Sequence, residues 1–491
     1  MPMVPVTRST VRLRPDPTRR IVKPFFPADH GAALGVTRTE RILNRVLTLS
    51  PEEVSEALTE LRAKHAHHNS NLDDLLLAGF TTVEHWLEAT EIDDDRRRLI
   101  GAYFIHEYSI EGSALTNPSI VAAPDQTGVP EDWLRVVVSL RAVGEGHISS
   151  IEFRTGMVDP EGNIEIEDPG VPVLGQRRTP LFDRTHFTAR LEELGVDVHL
   201  VHRALGDLDD SFTMEDLEKG LAVMDDQTNP AIQDAIHMVH WLASSNYEVT
   251  FDPNTEISQR VLAPNGPAES QGMEDARFVR FVESDGSIVY YSTYTAYDGA
   301  RILPQLIQTS NFETFRIATL RGQAAVNKGM ALFPRPIGGM YVALGRSDGE
   351  SNYLMVSDHV RFWGDATQIQ VPARSWELLQ IGNAGAPIET EAGWLVVTHG
   401  VGPMREYALG AILLDIDDPT RVLGHLTEPL LGPNEEERYG YVPNVVYSCG
   451  SLVHNGHLVI AYGASDTFTT FASVSLEAVL AALVSSRDSI S

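Results

Sequence analysis

The chain of 491 residues is poor in cysteine, and Cys449 is its only one. A single cysteine excludes an intrachain disulfide and therefore a secreted disulfide scaffold, and it fits a reducing cytoplasm. The thiol falls in an apolar stretch that reads as a strand, where a buried structural role is more common than nucleophilic catalysis. Cys449 is therefore predicted to be buried and unreactive.

Basic residues are also scarce, because 38 Lys and Arg stand against 68 Asp and Glu, for a formal net charge of −30. Nucleic acid and anionic membranes bind positive surfaces, so neither is expected as a partner. A bound phosphate would need a local group of Arg and His side chains that works against this field. No apolar run of signal-peptide length follows the arginine-rich start, and the sequence predicts a cytoplasmic protein.

Metal ligands are missing at the usual spacings. His65, His67 and His68 lie close together at a polar helix end, without the i, i+4 pair and third ligand that zinc needs. A solvated face explains them better, so no metal is expected.

The sequence does contain a repeated unit, which consists of a polar or Gly/Pro start, an apolar strand, a turn and a second apolar strand. Its copies begin near Asn117, Glu274, Asn327, Gly385 and Asn444. The last four copies follow one another at intervals that suit a propeller blade of ~40–50 residues with generous loops. The first interval is much longer. The pattern predicts an all-β fold: a five-bladed β-propeller with an N-terminal helical module and a helical insertion between blades one and two.

Helix signals fill the chain before the first copy. In Ser50-Pro51-Glu52-Glu53, Ser50 can cap a helix, Pro51 suits the first helical position and Glu53 completes a capping box. Residues 1–110 are therefore predicted to form an extended N-terminal arm and helical module, and residues 111–491 the propeller catalytic domain. Apolar residues at helical spacing place the helical insertion at about 180–246.

Polar residues recur at the strand ends of this repeat. Radial symmetry places the first strand of each blade around one axis, so such side chains are expected to converge. Asp275 is the best catalytic candidate, because Glu274 and Arg277 give its carboxyl group a like charge and a cation that can tune its protonation. Arg301, Arg316, Arg321 and His399 could form an anion clamp. For each of these residues, a purely structural role, in which the side chain connects neighbouring blades, is given the same weight as a functional one.

Seven motifs occur in order along the chain: Gly272–Arg277, Tyr294–Gly299, Asn327-Lys328, Ile381–Pro387, Gly393-Trp394, His399-Gly400 and Tyr462–Thr467. Together they resemble glycoside hydrolase family 130, the inverting β-mannoside phosphorylases and related β-mannosidases, which are built on a five-bladed propeller. The resemblance covers about Asn117 to Leu483.

The resemblance implies that Asp275 is the general acid and protonates the glycosidic oxygen through the 3-hydroxyl of the bound mannosyl unit. Inorganic phosphate, the co-substrate, would attack the anomeric carbon from the opposite face and give α-mannose 1-phosphate without any cofactor. The implied substrate-binding residues, including those taken from the strand ends, are Asn117, Arg141, Glu274, Arg277, Asp298, Lys328, Arg346, Tyr407 and Asp466. The implied phosphate-binding residues are Arg301, Arg316, Gln380 and His399.

Two positions depart from the family pattern. Ala276 replaces a proline, which changes turn stiffness only, and Gln380 replaces a lysine, which removes a cation from the anion site. The family position assigned to Arg316 can also be aligned with Arg321.

The expected partners are an oligosaccharide and phosphate, and a homo-oligomer is left open. The alternatives to a phosphorylase are an inverting β-mannosidase that uses water and a non-catalytic carbohydrate-binding propeller.

Overall fold

The computed structural model describes residues 4–27, 37–66, 71–87, 91–222 and 229–485. The chain divides into two compact units, of which one is Thr18–Ser109 and the other combines Met1–Pro17 with Ile110–Ser491. The helices in the described residues are α1 (Arg38–Leu47), α2 (Pro51–His65), α3 (Leu72–Thr81), α4 (Asp94–Ala102), α5 (Arg184–Glu193), α6 (Val198–Leu205), α7 (Met214–Ala222), α8 (Pro230–Ser244) and α9 (Leu476–Ala482).

The strands up to the middle of the chain are β1 (Thr7–Arg8), β2 (Arg20–Pro24), β3 (Ile105–Ser109), β4 (Ala114–Ala122), β5 (Leu134–Val143), β6 (Ser149–Val158), β7 (Ile164–Ile166), β8 (Val173–Leu174), β9 (Gln176–Arg178), β10 (Phe182–Asp183), β11 (Ser211–Phe212), β12 (Tyr247–Thr250), β13 (Arg260–Leu262), β14 (Gly272–Val282) and β15 (Ile288–Tyr297). The later strands are β16 (Ile302–Thr309), β17 (Thr314–Thr319), β18 (Ala331–Leu332), β19 (Tyr341–Gly345), β20 (Asn352–Ser357), β21 (Ala366–Gln370), β22 (Gln380–Asn383), β23 (Ile388–Thr390), β24 (Gly393–Val401), β25 (Tyr407–Leu414), β26 (Val422–His425), β27 (Val446–His454), β28 (His457–Ala464), β29 (Phe468–Ser475) and β30 (Val484–Ser485).

The smaller unit contains α1 to α4 and an antiparallel pair formed by β2 and β3. Its helices begin where the sequence offers caps. The Ser50 hydroxyl accepts the Glu53 N–H at 3.2 Å, and the Glu53 carboxylate accepts the Ser50 N–H at 2.7 Å, so the predicted capping box is confirmed. The helices bury a shared apolar core that includes Leu43, Leu58, Leu76, Leu99 and Phe104.

The larger unit consists mainly of antiparallel sheet, so the prediction of a mainly β fold is confirmed there. The strands pair with their neighbours in the chain: β4 to β6, β14 to β17, β18 to β21, β22 with β24 to β26, and β27 to β29. The N-terminal strand β1 pairs with β29, with Thr7 opposite Ser473. The beginning of the chain thereby completes its last sheet.

The first strands of three of these runs contact one another, because β4 contacts both β14 and β27, which also touch each other. Each of the three has a register shift near its start, between Thr116 and Ser119, Glu274 and Arg277, and Tyr447 and Gly450. A β-bulge of this kind bends the strand and redirects a side chain. The bulges therefore turn polar residues toward the meeting point of the strands.

Helices α5 to α8 follow β10 and precede β12, within the region where helices were expected. They bury a core of their own that includes Phe187, Leu191, Val201, Leu217 and Val239. Strand β12 then pairs with β17, which lies at the far side of its run from β14. The helical segment is thus adjacent to an outer strand. No helix within the described residues has the length and apolar character needed to cross a membrane.

The larger unit also contains a buried arginine between two buried glutamates. Arg154 Nη2 donates to Glu111 Oε1 at 2.5 Å, and its Nη1 donates to Glu152 Oε2 at 3.3 Å. The Arg154 side chain is 4% exposed and both carboxylates are fully buried. Removal of one partner from such a group leaves charge uncompensated inside the protein.

Replacement of Arg154 by Met should therefore lower the free energy of unfolding by about 3–5 kcal/mol. Denaturant titration monitored by circular dichroism measures this difference. The matched control is Arg421→Met, because Arg421 pairs with Asp415 at 3.2 Å while its own side chain is 58% exposed. That exposed pair should contribute less than about 1 kcal/mol. Equal losses in the two variants would show that the buried group does not stabilise the fold as argued.

Candidate active site

Asp275 lies in the bulge of β14 and Asn117 in the bulge of β4. Both have left-handed backbone conformations, with φ of 55° and 49°. Such values are uncommon for residues other than glycine and mark positions that the surrounding structure holds in place. Asn117 Nδ2 donates to Asp275 Oδ1 at 2.5 Å, and both side chains are buried. The two bulges thus bring the candidate acid against a neutral amide.

Glu274 immediately precedes Asp275 and has different partners. It accepts from Arg141 Nη2 at 2.7 Å and from Lys328 Nζ at 2.6 Å, so each of its oxygens faces a cation. Arg141 is itself fixed by a bond from its Nε to Ser149 Oγ at 3.1 Å. In the described part of the chain Asp275 has only the Asn117 side-chain bond, which leaves its Oδ2 for a ligand. Asp275 is therefore the better placed of the two carboxyl groups for proton transfer.

Arg277 follows these acids on β14 and is almost fully buried, with 1% of its surface exposed. Its guanidinium donates to the Asp275 carbonyl at 3.1 Å, to Tyr447 Oη at 2.8 Å and to Asn383 Oδ1 at 3.3 Å. These bonds connect β14 with β27 and β22. Arg277 therefore positions the site from within the protein.

Arg346 and His399 form a cationic and aromatic group next to Tyr447. Arg346 Nη1 lies 3.4 Å from His399 Nε2, and the buried Arg346 Nε has no hydrogen-bond partner among the described residues. The His399 ring packs edge-on against Tyr447 at 4.9 Å and stacks on Tyr407 at 6.4 Å. An unpartnered guanidinium N–H at the edge of a polar cluster is suited to bind an anion.

His399 is held in one protonation state by its surroundings. Burial, followed by the nearby charges of Arg346 and Arg277, lowers the pKa of His399 well below its ordinary value. The imidazole is therefore neutral at neutral pH. Its Nδ1 lies 3.0 Å from the Asn383 carbonyl and donates to it, so Nε2 is an acceptor.

Asp466 follows β28 and adds a third carboxyl group. Burial raises the pKa of Asp466, the charges of Asp275 and Glu274 raise it further, and Arg141 and Arg405 oppose the shift. Asp466 also has a left-handed backbone, with φ of 46°. Its electrostatic neighbours show that it belongs to the cluster around Asp275.

The remaining predicted site residues are Asp298, Arg301, Arg316 and Gln380. Asp298 closes the turn between β15 and β16 by accepting the Ala300 and Arg301 N–H groups at 2.8 and 2.6 Å, and Arg301 is exposed in that turn. Arg316 is not brought to His399, because it lies on the outer strand β17, where it pairs with Glu248 at 3.2 Å. Gln380 begins β22 and is half-buried.

Tyr447 and Asn383 are contacts of Arg277 that the sequence analysis did not select. Tyr447 stands directly before the register shift of β27, where Glu274 and Thr116 stand before the shifts of β14 and β4, and Asn383 ends β22. A closer alignment of the repeat copies could have found Tyr447. Cys449 is buried as predicted, and burial raises the pKa of its thiol to about 12, so the thiol stays protonated at neutral pH.

Metal binding has no support in the described parts of the chain, where no group of three or more His, Cys, Asp or Glu residues could hold a metal ion. His67 and His68 lie outside the described residues. The chemistry of the cluster is that of an acid, several cations and hydrogen-bond donors.

Comparison with known proteins gives the class of enzyme. The profile of glycoside hydrolase family 130, described as β-1,4-mannooligosaccharide phosphorylase, matches residues 238–484. A 1,2-β-oligomannan phosphorylase of Thermoanaerobacter sp. is 34% identical over 219 residues, which are 43% of this chain and 71% of that protein. A β-1,2-mannobiose phosphorylase of the same organism is 34% identical over 248 residues, 49% of this chain and 79% of that protein.

Among solved structures, this chain resembles β-1,2-mannobiose phosphorylase from Listeria innocua in complex with β-1,2-mannobiose. The two are 21% identical with a TM-score of 0.46, and the alignment covers 77% of this chain and 93% of the Listeria chain. The family profile and the two Thermoanaerobacter relatives identify the chain as a carbohydrate-active enzyme. It belongs to glycoside hydrolase family 130, and the family predicted from its motifs is confirmed.

Proposed function

We infer that this protein is a phosphorylase that cleaves β-mannosides with inorganic phosphate and inverts the anomeric centre. This inference rests on one observation: Arg346 and His399 belong to the same connected cluster of side chains as Asp275. The path from Asp275 runs through Arg277 and Tyr447 to His399 by direct contacts. The phosphorylase names of the relatives with about one third identity support the same reaction.

In the proposed reaction Asp275 supplies the proton. A phosphate oxygen forms a bond to the anomeric carbon while the bond from that carbon to the glycosidic oxygen breaks. The proton passes from Asp275 to the 3-hydroxyl of the mannosyl unit, and the proton of that hydroxyl passes to the leaving oxygen. The products are α-mannose 1-phosphate and a shortened saccharide. Asn117, Arg141 and Asp466 surround the acid and are the proposed ligands of the mannosyl ring.

The proposed phosphate ligands are Arg346, His399 and Lys328. Arg346 has a buried N–H without a partner, and Lys328 already neutralises Glu274 beside the acid. Nε2 of neutral His399 lies 3.4 Å from Arg346 Nη1, and it would accept from a protonated phosphate oxygen in place of that guanidinium. This assignment differs from the sequence-based one, in which Arg301 and Arg316 held the phosphate, and the roles of Arg301 and Gln380 stay predictions.

A hydrolase that uses water is the second candidate, and the absence of the family lysine at Gln380 favours it. Hydrolysis by inversion needs a carboxylate base that holds water on the face opposite the acid. In the described structure the position next to Tyr447 is occupied by the cationic Arg346 and neutral His399. Cations favour an anionic nucleophile there, so phosphorolysis is the better supported reaction.

We also propose that the sheets of the larger unit are the five blades of a propeller. The five runs of strands in chain order and the meeting of β4, β14 and β27 support this arrangement. The pairing of β1 with β29 would then close the last blade with the N-terminal strand. The cytoplasmic location, the oligomeric state and the lack of a cofactor stay predictions.

Tyr441 is a candidate residue for binding the acceptor sugar. Its ring is 66% exposed and packs on His147 with 5.8 Å between ring centres. Its backbone N–H donates to Thr467 Oγ1 at 2.9 Å, which places the residue next to Asp466. An exposed aromatic face with a polar tip can pack against the apolar face of a sugar ring. We therefore propose that Tyr441 supports the saccharide on the acceptor side.

Asp275→Asn should lower kcat for phosphorolysis by roughly 10²- to 10⁴-fold, because the amide cannot donate the acidic proton. Release of α-mannose 1-phosphate from a β-mannobiose measures the effect, and saccharide binding should change little. The control is Asp285→Asn in the exposed turn after β14. Unchanged turnover in the first variant would remove Asp275 from the mechanism.

Arg346→Met should raise KM for phosphate by roughly 10- to 100-fold, because a charged hydrogen-bond donor is lost. Initial rates at varied phosphate measure KM, and KM for the mannoside should stay close to that of the wild type. Arg335→Met is the control, because Arg335 pairs with the exposed Glu389 at 2.6 Å. Release of free mannose by the wild type without phosphate would identify a hydrolase.

Tyr441→Ala should raise KM for the oligosaccharide several-fold and leave KM for phosphate unchanged, because a stacking surface of about 1 kcal/mol is lost. Tyr441→Phe keeps the ring and is the matched control. Steady-state kinetics with a mannobiose and a longer oligomer measure both constants. If Tyr441→Ala behaves as the wild type with both substrates, the acceptor sugar does not bind at this ring.

A further inference from the structure

A cavity of about 230 Å³ lies beside the helical segment of the larger unit. Four charged residues, Asp183, Arg190, Arg316 and Arg361, lie in its wall together with His186. They come from three separate segments: α5 with the residue that caps it, the outer strand β17 and the loop after β20. This concentration of arginine is unexpected in a chain with a net charge of −30.

Arg361 is the residue that the local structure does not explain. In the described part of the chain its guanidinium forms no ion pair, and its Nε is buried without a hydrogen bond. Burial, then repulsion from Arg316 and Arg321, lowers the pKa of Arg361 to about 10, and the charge of Asp183 opposes this shift. Arg361 is partly exposed, but a buried guanidinium N–H without an acceptor is costly, so its retention points to a ligand that supplies one.

The other arginines around the cavity have acidic partners. Arg316 pairs with Glu248 at 3.2 Å, Arg190 pairs with Glu193 at 3.0 Å, and Arg321 lies 4.0 Å from the same Glu193. Asp183 accepts the His186 N–H and so caps α5. Among the described residues Arg361 therefore has no ion pair, and the nearby charge of Asp183 offsets its positive charge only in part.

His186 and His359 extend the polar wall next to Arg361. Their Nε2 atoms lie 3.1 Å apart, and Arg321 Nε donates to His186 Nδ1 at 3.0 Å. Burial, followed by His359 and the nearby arginines, lowers the pKa of His186 to about 4, and burial also lowers that of His359. Both rings are neutral at neutral pH, so the arginines supply the positive charge here.

This cavity is distinct from the active site. The charges that act on Arg361 are those of Arg316, Asp183 and Arg321, whereas those that act on His399 are Arg346 and Arg277. The two groups share no cation. Arg316 lies on the outer strand of its run, while Asp275 lies on the first.

We propose that this cavity binds a phosphate group, either of inorganic phosphate or of a sugar phosphate, through Arg361 with Arg190 and Arg316 beside it. Arginine forms paired hydrogen bonds to phosphate oxygens, which would satisfy the N–H groups that the protein leaves open. The volume is several times the ~30 Å³ share of one water, so there is room for a phosphate and an attached group. A bound anion would join α5, β17 and the loop after β20.

The test uses the full chain with Arg346→Met, in which the proposed catalytic phosphate site is weakened. Calorimetric titration with inorganic phosphate should still show one bound phosphate per chain. Adding Arg361→Met should lower that affinity at least 10-fold, because charge-assisted bonds are lost. Adding Arg335→Met instead should leave it unchanged. Because the readout is binding, the result is independent of whether the enzyme proves to be a phosphorylase.

The same titrations with α-mannose 1-phosphate distinguish the two sources of the phosphate group. Tighter binding of the sugar phosphate would assign the cavity to a phosphorylated sugar, and equal or weaker binding would assign it to phosphate itself. Binding of neither anion to the Arg346→Met protein would overturn the proposal. Equal affinities with and without Arg361→Met would overturn it as well.

Thermal unfolding gives a second measurement that separates a ligand site from a structural role. In buffer without phosphate, Arg361→Met should unfold at the same or a higher temperature than the wild type, because a cation with a buried, unpartnered N–H is removed from a group of arginines. Phosphate should raise the unfolding temperature of the Arg346→Met protein, and this shift should be lost when Arg361→Met is added. A clear loss of stability without phosphate would show that Arg361 serves the fold, and would contradict the proposal.

Discussion

The buried guanidinium of Arg277 is the group on which the geometry of the active site depends. Transfer of such an ion into a protein costs several kcal/mol unless its donors are satisfied. Here the donors reach the Asp275 carbonyl, Tyr447 and Asn383, on three different strands. Because the bond to Asp275 is made to its backbone, Arg277 fixes the bulge and not the acidic group itself. The carboxyl group makes its own hydrogen bond to Asn117.

That arrangement explains how two adjacent acids can have different roles. In a regular strand Glu274 and Asp275 would point to opposite faces, but the bulge and the left-handed backbone of Asp275 change this alternation. Glu274 is neutralised by Arg141 and Lys328, and it thereby orders two cations at the site. Asp275 faces the amide of Asn117, which orients the carboxyl group without adding charge.

The sequence predicted the part of the site that depends on local patterns. Asp275 and Asn117 stand at equivalent places in two copies of one repeat, so their meeting followed from the repeat alone. Arg316 shows the limit, because sequence spacing did not distinguish the outer strand β17 from a position next to Asp275. Arg346 was recognised as a strand-end residue, but its contact with His399 spans separate sheets, and only folding brings the two together. Long-range pairs of this kind leave no periodic signal in one sequence.

Net charge and local charge act in opposite directions in this protein. A chain with a net charge of −30 repels phosphate. Salt screens this repulsion over distances beyond about 10 Å, so phosphate binding depends on hydrogen-bond donors within a few ångströms of the anion. Around the active site the cations are partly matched by Glu274, and Arg346 has one unsatisfied N–H. Around the outer cavity Arg361 forms no ion pair in the described structure, and only the charge of Asp183 opposes the repulsion from Arg316 and Arg321. Since a cation costs more free energy as water is excluded around it, an anion in the outer cavity would stabilise this group of arginines.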